Sequence, residues 1–391
     1  MSLDFDGARL FNKALTNDHE MWRAQLRKFL DKEIAPYMDE WDENGKVPDD
    51  LWAKAADIGL LQLGYPEEFG GISDGIDQTY RNIVGEEFGR IGSAGGIGST
   101  LLVHGIGLPP VINFAQDHIK AEVATAVLAG KKRISLGITE PSGGSDVANI
   151  RTTAKREGDF YIVNGSKTFI SGGMGANWTS TAVRTGDEGA RGVSMLLIPM
   201  DLDGVSRTPL DKKQGWWCSD TATLYFDNVK VPVDHLIGEE GHGFRVIMDN
   251  FNSERLGMVV SMEAAARCCL VEAVSWAQQR QTFGKRLADH QVIRHKIATM
   301  KQKINATQAY LLHLTEAFEE DRIHPGDLGM LKVQASETME YCAREASQIL
   351  GGASYLRGSK VERIYREVRV NAIGGGSEEI MRDLAARQYN L

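Results

Sequence analysis

Between residues 9 and 39 apolar side chains recur at helical spacing: Leu10, Phe11 and Leu15, then Trp22, Leu26, Phe29, Leu30 and Ile34, until Pro36 interrupts the run. The same period continues near 50–62, 76–92, 96–115 and 118–129, with Gly-rich turns such as Gly70-Gly71 between segments. Residues 1–130 are therefore expected to form an all-helical domain. At about residue 131 the pattern changes to short β-branched or alternating runs bounded by Gly, Asp, Asn and Pro. These are Arg133–Ile138, Phe160–Asn164, Thr181–Arg184, Val193–Ile198 and Thr223–Phe226. Short strands without long helices between them favour a sandwich or barrel over a doubly wound parallel sheet. After Pro232 the helical period returns in long stretches, 241–280, 289–320, 326–350 and 358–372, with Pro325 and Gly351-Gly352 as breaks. That pattern predicts a four-helix bundle. The expected class is α+β in three packed blocks, 1–130, 131–236 and 237–391.

A chain of 391 residues exceeds the size at which one hydrophobic core stops growing, in keeping with several domains. Its net charge of -9 works against a polyanionic partner such as nucleic acid or anionic lipid. Cys218, Cys268, Cys269 and Cys342 contain no Cys-x-x-Cys pair, which fits a reducing compartment. No apolar run approaches the roughly 18 residues of a membrane span, and the N-terminus has neither signal-peptide nor transit-peptide character. The expectation is a protein of the bacterial cytoplasm, or of the mitochondrial matrix in a eukaryote. Gly95-Gly-Ile-Gly98 and Gly374-Gly-Gly376 do not complete a dinucleotide-binding fingerprint, and no phosphate-binding P-loop or His-Glu-x-x-His motif occurs. The nine histidines lack metal-ligand spacing, so no metal is expected.

The segment Gly137-Ile-Thr-Glu-Pro-Ser-Gly-Gly-Ser-Asp146 combines a strand end, a proline, two glycines and hydroxyl side chains. Such a turn lets backbone approach a flat ligand while Thr139 and Ser145 offer hydroxyls. Further along come Gly165-Ser-Lys-Thr-Phe-Ile-Ser171, Val231-Pro232, Gly241-His-Gly-Phe244, Arg280-Gln-Thr-Phe-Gly284, His290-Gln291 and Gln348-Ile-Leu-Gly-Gly352. In this order, over nearly the whole chain, these motifs resemble the acyl-CoA dehydrogenase family.

The resemblance implies the acyl-CoA dehydrogenase fold, FAD as cofactor, an acyl-CoA substrate, an electron-transfer flavoprotein as acceptor, and a homotetramer built as a dimer of dimers. It places Thr139, Ser145, Phe169 and Ser171 around the isoalloxazine, with Phe169 departing from the common Trp. Arg280, Thr282, Phe283 and Gln291 would meet the pyrophosphate and adenosine across a subunit interface, joined by Gln348, Gly352, Ser377 and Glu379. Guanidinium suits that task because it binds phosphate with paired donors. On the substrate side it places Ser145, Asn252, Arg255, Gly375 and Gly376.

The base is where this chain departs from the commoner pattern. Many family members carry a Glu in Tyr-Glu-Gly-Thr near the C-terminus, and here Gly375 stands in its place. Glu254, in Asn252-Ser-Glu-Arg255, matches the position from which the long-chain and isovaleryl branches supply theirs. Three successive glycines also suggest room beside Cα and Cβ of a branched, bulky or medium-to-long acyl group. Glu378 is expected to face solvent. Without the resemblance, Glu254 reads as a helical surface carboxylate, Arg280 as a solvated helix-end cation, and Gln348 with its glycines as a helix stop. Two other functions on the same fold are a flavin oxidase or monooxygenase and a non-catalytic binding or assembly protein.

Overall fold

Thr16 starts the first long helix. In the computed structural model, which describes residues 3–391, the Thr16 hydroxyl accepts from the His19 N–H while the His19 ring takes the Thr16 N–H (3.1 Å). This reciprocal cap sets the start of α1 (Asn17–Glu33), later than the periodicity from Leu10 suggests, and Phe11 is left exposed. There follow α2 (Met38–Asn44), α3 (Leu51–Asp57), α4 (Gln78–Arg90), α5 (Gly96–Leu101), α6 (His104–Gly107), α7 (Pro109–Phe114) and α8 (Asp117–Leu128). Trp22, Leu26, Phe29 and Leu30 of α1 pack against Trp41, Trp52, Ile83 and Phe88, so one face of each helix is buried.

The middle of the chain holds β1 (Ile134–Gly137), β2 (Thr153–Glu157), β3 (Phe160–Ser171), β4 (Trp178–Arg184), β5 (Val193–Pro199), β6 (Val205–Pro209), β7 (Thr221–Pro232) and β8 (Leu236–Ile237). They form one ladder in the order β6-β7-β3-β2-β4-β5-β8, with β1 parallel to β4. Along β5, Met195 and Leu197 face one core with α7 and α8, while Leu196 and Ile198 face another with β3 and β7. β5 touches β7, four places away in the ladder, so the sheet folds over on itself in sandwich fashion. β2 and β6 were not visible in the sequence because Thr-Ala-Lys-Arg-Glu and Val-Ser-Arg-Thr-Pro are almost wholly polar; only Ala154 of β2 is buried.

Helix α9 (Gly243–Gln279) is the spine of the C-terminal region. A two-residue hairpin, β9 (Gln281–Thr282) with β10 (Lys285–Arg286), leads into α10 (Gln291–Glu319), α11 (Pro325–Leu350) and α12 (Lys360–Asn371). A fifth helix, α13 (Glu378–Gln388), follows the four that the periodicity suggested and packs on α11. Leu256, Val259, Met262, Ala266 and Leu270 of α9 meet Met300, Leu331, Met339 and Ile364 in one core. Each such fully buried side chain stabilises by about 1.5–3 kcal/mol. α4 also lies along α9, where Gly89 is required: a Cβ there would sit 2.4 Å from that of Ala264.

Candidate active site

Glu254 opens the fourth turn of α9. The residue as a whole is half-buried, but its Oε2 is sealed from solvent and meets no donor. Among the described residues Glu254 has neither a hydrogen bond nor an ion pair. Burial pushes its carboxyl up to about 7, against the pull of the cations Arg255 and Lys332. Two other buried carboxyls of the bundle are also raised by burial, but both have partners. Glu263 is paired with Arg267 (3.0 Å), and Glu367 accepts the Ala94 N–H (2.8 Å). An orphaned carboxylate costs free energy, so Glu254 has the mark of a group held ready for a ligand rather than one serving the fold.

The Gly374–Ser377 turn between α12 and α13 is held to α9 and α11 by two cations. Arg255 donates its Nε–H to the Gly375 carbonyl (3.1 Å), and Lys332 donates its ammonium to the Gly376 carbonyl (2.7 Å). Gly375 at φ +66° and Gly376 at φ +105° occupy conformations that suit glycine. Among the described residues neither of their N–H groups has an acceptor. The glycines do not leave open room. A Cβ on Gly375 would lie 2.6 Å from the Met258 sulfur, and one on Gly376 would lie 2.4 Å from the Met381 methyl. Two thioethers therefore fill the volume that the sequence suggested was vacant.

A second group of residues gathers at the end of β1. The Thr168 N–H donates to the Thr139 carbonyl (2.8 Å), tying the Thr139–Ser145 segment to β3. Beneath it, Glu140 accepts from Lys167 Nζ (2.7 Å) and from the Arg151 and Thr152 N–H groups. Burial lowers Lys167 to about 8 while this set of donors holds Glu140 near 2, so the pair is charged at neutral pH. The β3–β7 ladder is irregular between Lys167 and Ile170, and at that irregularity Phe169 takes φ +59° with its ring 70% exposed. A bulky residue in the left-handed region is strained, and an exposed ring gains the fold little in return. The Thr139 and Ser145 hydroxyls have no hydrogen-bond partner among the described residues, and Ser171 is half-buried at the end of β3.

The third group stands at the junction of α9, α10 and α11. Arg280 caps α9, is exposed, and has no ion pair among the described residues. Phe283 projects from the hairpin at φ +51° and is 97% exposed, while Thr282 Oγ1 lies 3.1 Å from His290 Nε2. Gln291 opens α10 and Gln348 closes α11, both exposed, and the Lys296–Glu345 ion pair draws those helix ends together. A Cβ on Gly352 would meet nothing within 4 Å. Ser377 caps α13 through the Ile380 N–H (3.4 Å), and Glu379 is exposed in its first turn. Asn252 is half-buried on α9.

Two placements depart from expectation. Glu378 turns inward rather than to solvent, with its Oε1 accepting from Ser336 Oγ (2.6 Å). Arg255 is buried behind the glycine turn and over the Phe251 ring, 5.2 Å from its centroid, so its recorded contacts are to the protein's own turn and ring. Sequence reasoning missed Lys332 and Met258. The signal for Lys332 was a lone lysine between Leu331 and Val333 in a helix that is otherwise apolar at that turn.

Three family models cover the chain in succession: acyl-CoA dehydrogenase N-terminal domain over residues 16–131, middle domain over 135–229 and C-terminal domain over 241–389. The chain belongs to the acyl-CoA dehydrogenase family. An acyl-CoA dehydrogenase of Alternaria alternata is 36% identical, covering 96% of this chain and 92% of its own length. The mitochondrial long-chain specific acyl-CoA dehydrogenase of Rattus norvegicus is 32% identical over 96% of this chain and 87% of its own. The crystal structure of a probable acyl CoA dehydrogenase from Mycobacterium abscessus matches with a TM-score of 0.93 at 42% identity, covering 96% of this chain and 99% of that one.

Members of the acyl-CoA dehydrogenase family are flavoprotein oxidoreductases, and the residues of this chain fit a flavin. They offer an exposed ring on a strained backbone, hydroxyls with no partner among the described residues on a segment tied to the same strand, and an exposed guanidinium with no ion pair among the described residues. Among the described residues no cluster of His, Cys, Asp or Glu is placed to hold a metal, and no helix is long and apolar enough to cross a membrane.

Proposed function

We propose that this chain dehydrogenates an acyl-CoA thioester between Cα and Cβ with FAD as cofactor and Glu254 as the base. The observation that carries the reading is the orphaned Oε2 of Glu254, sealed in the protein with no partner of its own. A proton on Cα is weakly acidic, and a base with a pKa near neutrality is matched to removing it at physiological pH. As charge moves onto the thioester oxygen, the free Gly375 N–H is available to receive it. A donor of this kind is worth about 3–4 kcal/mol in the transition state.

Thr139, Ser145, Phe169 and Ser171 would hold the isoalloxazine end of FAD, and Arg280, Thr282, Phe283, Gln291, Gln348, Gly352, Ser377 and Glu379 its pyrophosphate and adenosine end. When bound, FAD accepts the hydride that leaves Cβ. The Arg280 group and the Phe169 group are both exposed, which suits a site completed between subunits of a homotetramer. An electron-transfer flavoprotein is the proposed acceptor. Four buried, unpaired thiols fit a reducing compartment such as the bacterial cytoplasm.

For the substrate we favour a branched or medium-to-long acyl chain. Met258 and Met381 are flexible, polarisable side chains that can repack around an irregular group beside Cα, as a rigid aromatic wall cannot. Ser145 and Asn252 lie on the proposed substrate side, and Arg255 supports it from behind the turn.

Anaerobic titration of the purified flavoprotein with straight and branched acyl-CoA thioesters tests the reading, with Glu254→Gln run alongside. Wild type should lose its yellow colour, and the variant should bind substrate yet keep it. Turnover by Glu254→Gln at the wild-type rate would remove Glu254 as the base. Oxygen uptake without an added acceptor would favour an oxidase, and a wild type that no acyl-CoA bleaches would favour a binding protein.

A further inference from the structure

Lys332 is a fully buried cation that makes no ion pair among the described residues. Its side chain is fully buried on α11, and its ammonium donates to the Gly376 carbonyl at 2.7 Å. The charged groups facing it are Glu378 and Glu379 from the first turn of α13 and Glu254 and Arg255 from α9. One turn further along α11, Ser336 holds Glu378 by its Oε1. Arg255 meanwhile fixes the preceding carbonyl, that of Gly375.

Each of these two bonds fixes one peptide plane, because the peptide unit is rigid and trans. Together they fix the planes on either side of Gly376, which carry the N–H groups of Gly376 and Ser377, and so anchor the C-terminal side of Gly375, whose own N–H lies in the preceding plane and has no partner among the described residues. Glycine has no Cβ to limit its own conformation, so a turn of successive glycines needs such outside restraint to hold one geometry. Removing Lys332 would leave the Gly376 carbonyl without its donor and Glu254 with Arg255 as its remaining nearby cation.

We propose that Lys332 is a positioning residue for the dehydrogenation: it locks the Gly375–Gly376 turn that presents the free N–H to the thioester, and it supplies a buried positive charge to the Glu254 carboxylate. The inference rests on Glu254 being the base. It adds that the base and the carbonyl cradle share one support on a third helix. The directions of ionisation agree with this geometry. Burial lowers Lys332 to about 8 while Glu254 is raised to about 7, so at slightly alkaline pH both members carry charge.

The test compares wild type, Lys332→Met, Glu378→Gln and Glu254→Gln as flavin-loaded enzymes, with pH profiles of kcat/KM and calorimetric binding of a non-oxidisable thioether analogue of acyl-CoA. Lys332→Met is expected to move the acid limb of the profile upward by about half a pH unit or more, and to weaken analogue binding and lower kcat by about 10-fold or more. Glu378→Gln, which removes an anion facing Lys332, is expected to move the acid limb the other way. A purely structural lysine would lower activity through lost stability, seen as a lower Tm, with the limb unmoved. An unmoved limb in Lys332→Met together with wild-type analogue binding overturns the inference. If Glu254→Gln is inactive in the same experiment, the base reading stands and only the role of Lys332 is lost. If Glu254→Gln retains turnover, both fall.

Discussion

Met258 stands one helical turn beyond Glu254 on α9, and its sulfur lies 2.6 Å from where a Cβ on Gly375 would be. Base and thioether therefore share one face of the helix, turned toward the glycine turn. A large residue at position 375 and Met258 in its present rotamer exclude each other. The space beside Gly375 is accordingly set by α9 and not by the glycines alone.

Met258→Ala is expected to open that space. Relative to wild type, kcat/KM should rise for acyl-CoAs branched near the thioester and fall for straight chains, which lose a packing surface. Met258 is half-buried, so the loss of stability should fall below the roughly 2–5 kcal/mol of a fully buried Met→Ala change. Steady-state kinetics across a branching series checks it, and an unchanged ratio of branched to straight substrates would place Met258 outside the pocket wall.

Phe169 separates cofactor binding from folding. At 70% exposure and φ +59° its ring contributes little to the apoprotein, while the backbone strain is a cost that glycine would relieve. Phe169→Gly should therefore match or exceed the wild-type Tm as apoprotein and yet lose flavin on gel filtration, whereas Phe169→Trp should retain it. A Phe169→Gly variant that kept its flavin as firmly as wild type would remove the ring from the cofactor site.

What the sequence could show depended on whether the signal was local. The helical periodicity of α1 and α9, the strand runs of β1 and β5, and the Thr139–Ser145 turn all lie in short windows and were legible. Glu254 was legible as a residue type in a pattern, but its lack of any partner is a property of packing. Polar β2 and β6 were invisible because their identity as strands comes from their neighbours in the ladder. Lys332 meets a carbonyl 44 positions away, and Met258 fills the space over a glycine in another element. No window of sequence contains either contact, so the glycines by themselves suggest room that a methionine occupies.

Glu254 ties activity and stability to pH with opposite signs. Only the ionised carboxylate can take the proton, so kcat/KM should rise with pH through about 7. For stability, the folded-state pKa lies above the ordinary value of 4.5. The stabilising contribution of the protonated group is thus complete below about 4.5 and is lost as pH rises through about 7. A shift of this size corresponds to at most about 3.5 kcal/mol. Glu254→Gln should therefore melt above wild type at pH 8 and close to it at pH 5. Equal melting temperatures at both values would mean that Glu254 is better solvated than its surroundings indicate.

The proposal that the cofactor site is divided between subunits makes a prediction that single variants cannot test. Glu254 and Phe169 would serve the flavin end in one subunit, and Arg280 and Phe283 the adenosine end of the site in its neighbour. Arg280→Ala and Glu254→Gln should each abolish turnover when present in every subunit. In a mixed oligomer the two defects fall in different sites: an Arg280→Ala subunit keeps its own Glu254 and borrows Arg280 from an Glu254→Gln partner, which completes one site. Random pairing of equal amounts across a two-fold interface gives half of the dimers mixed, each with one of two sites intact, so about a quarter of wild-type activity should return. Co-expression of the two variants with distinguishable tags measures this in the unfractionated mixture, and the mixed species purified through both tags should reach about half of wild-type activity. If Arg280 instead served the flavin bound to its own subunit, every mixed site would retain one defect and no activity would return, whatever the oligomer.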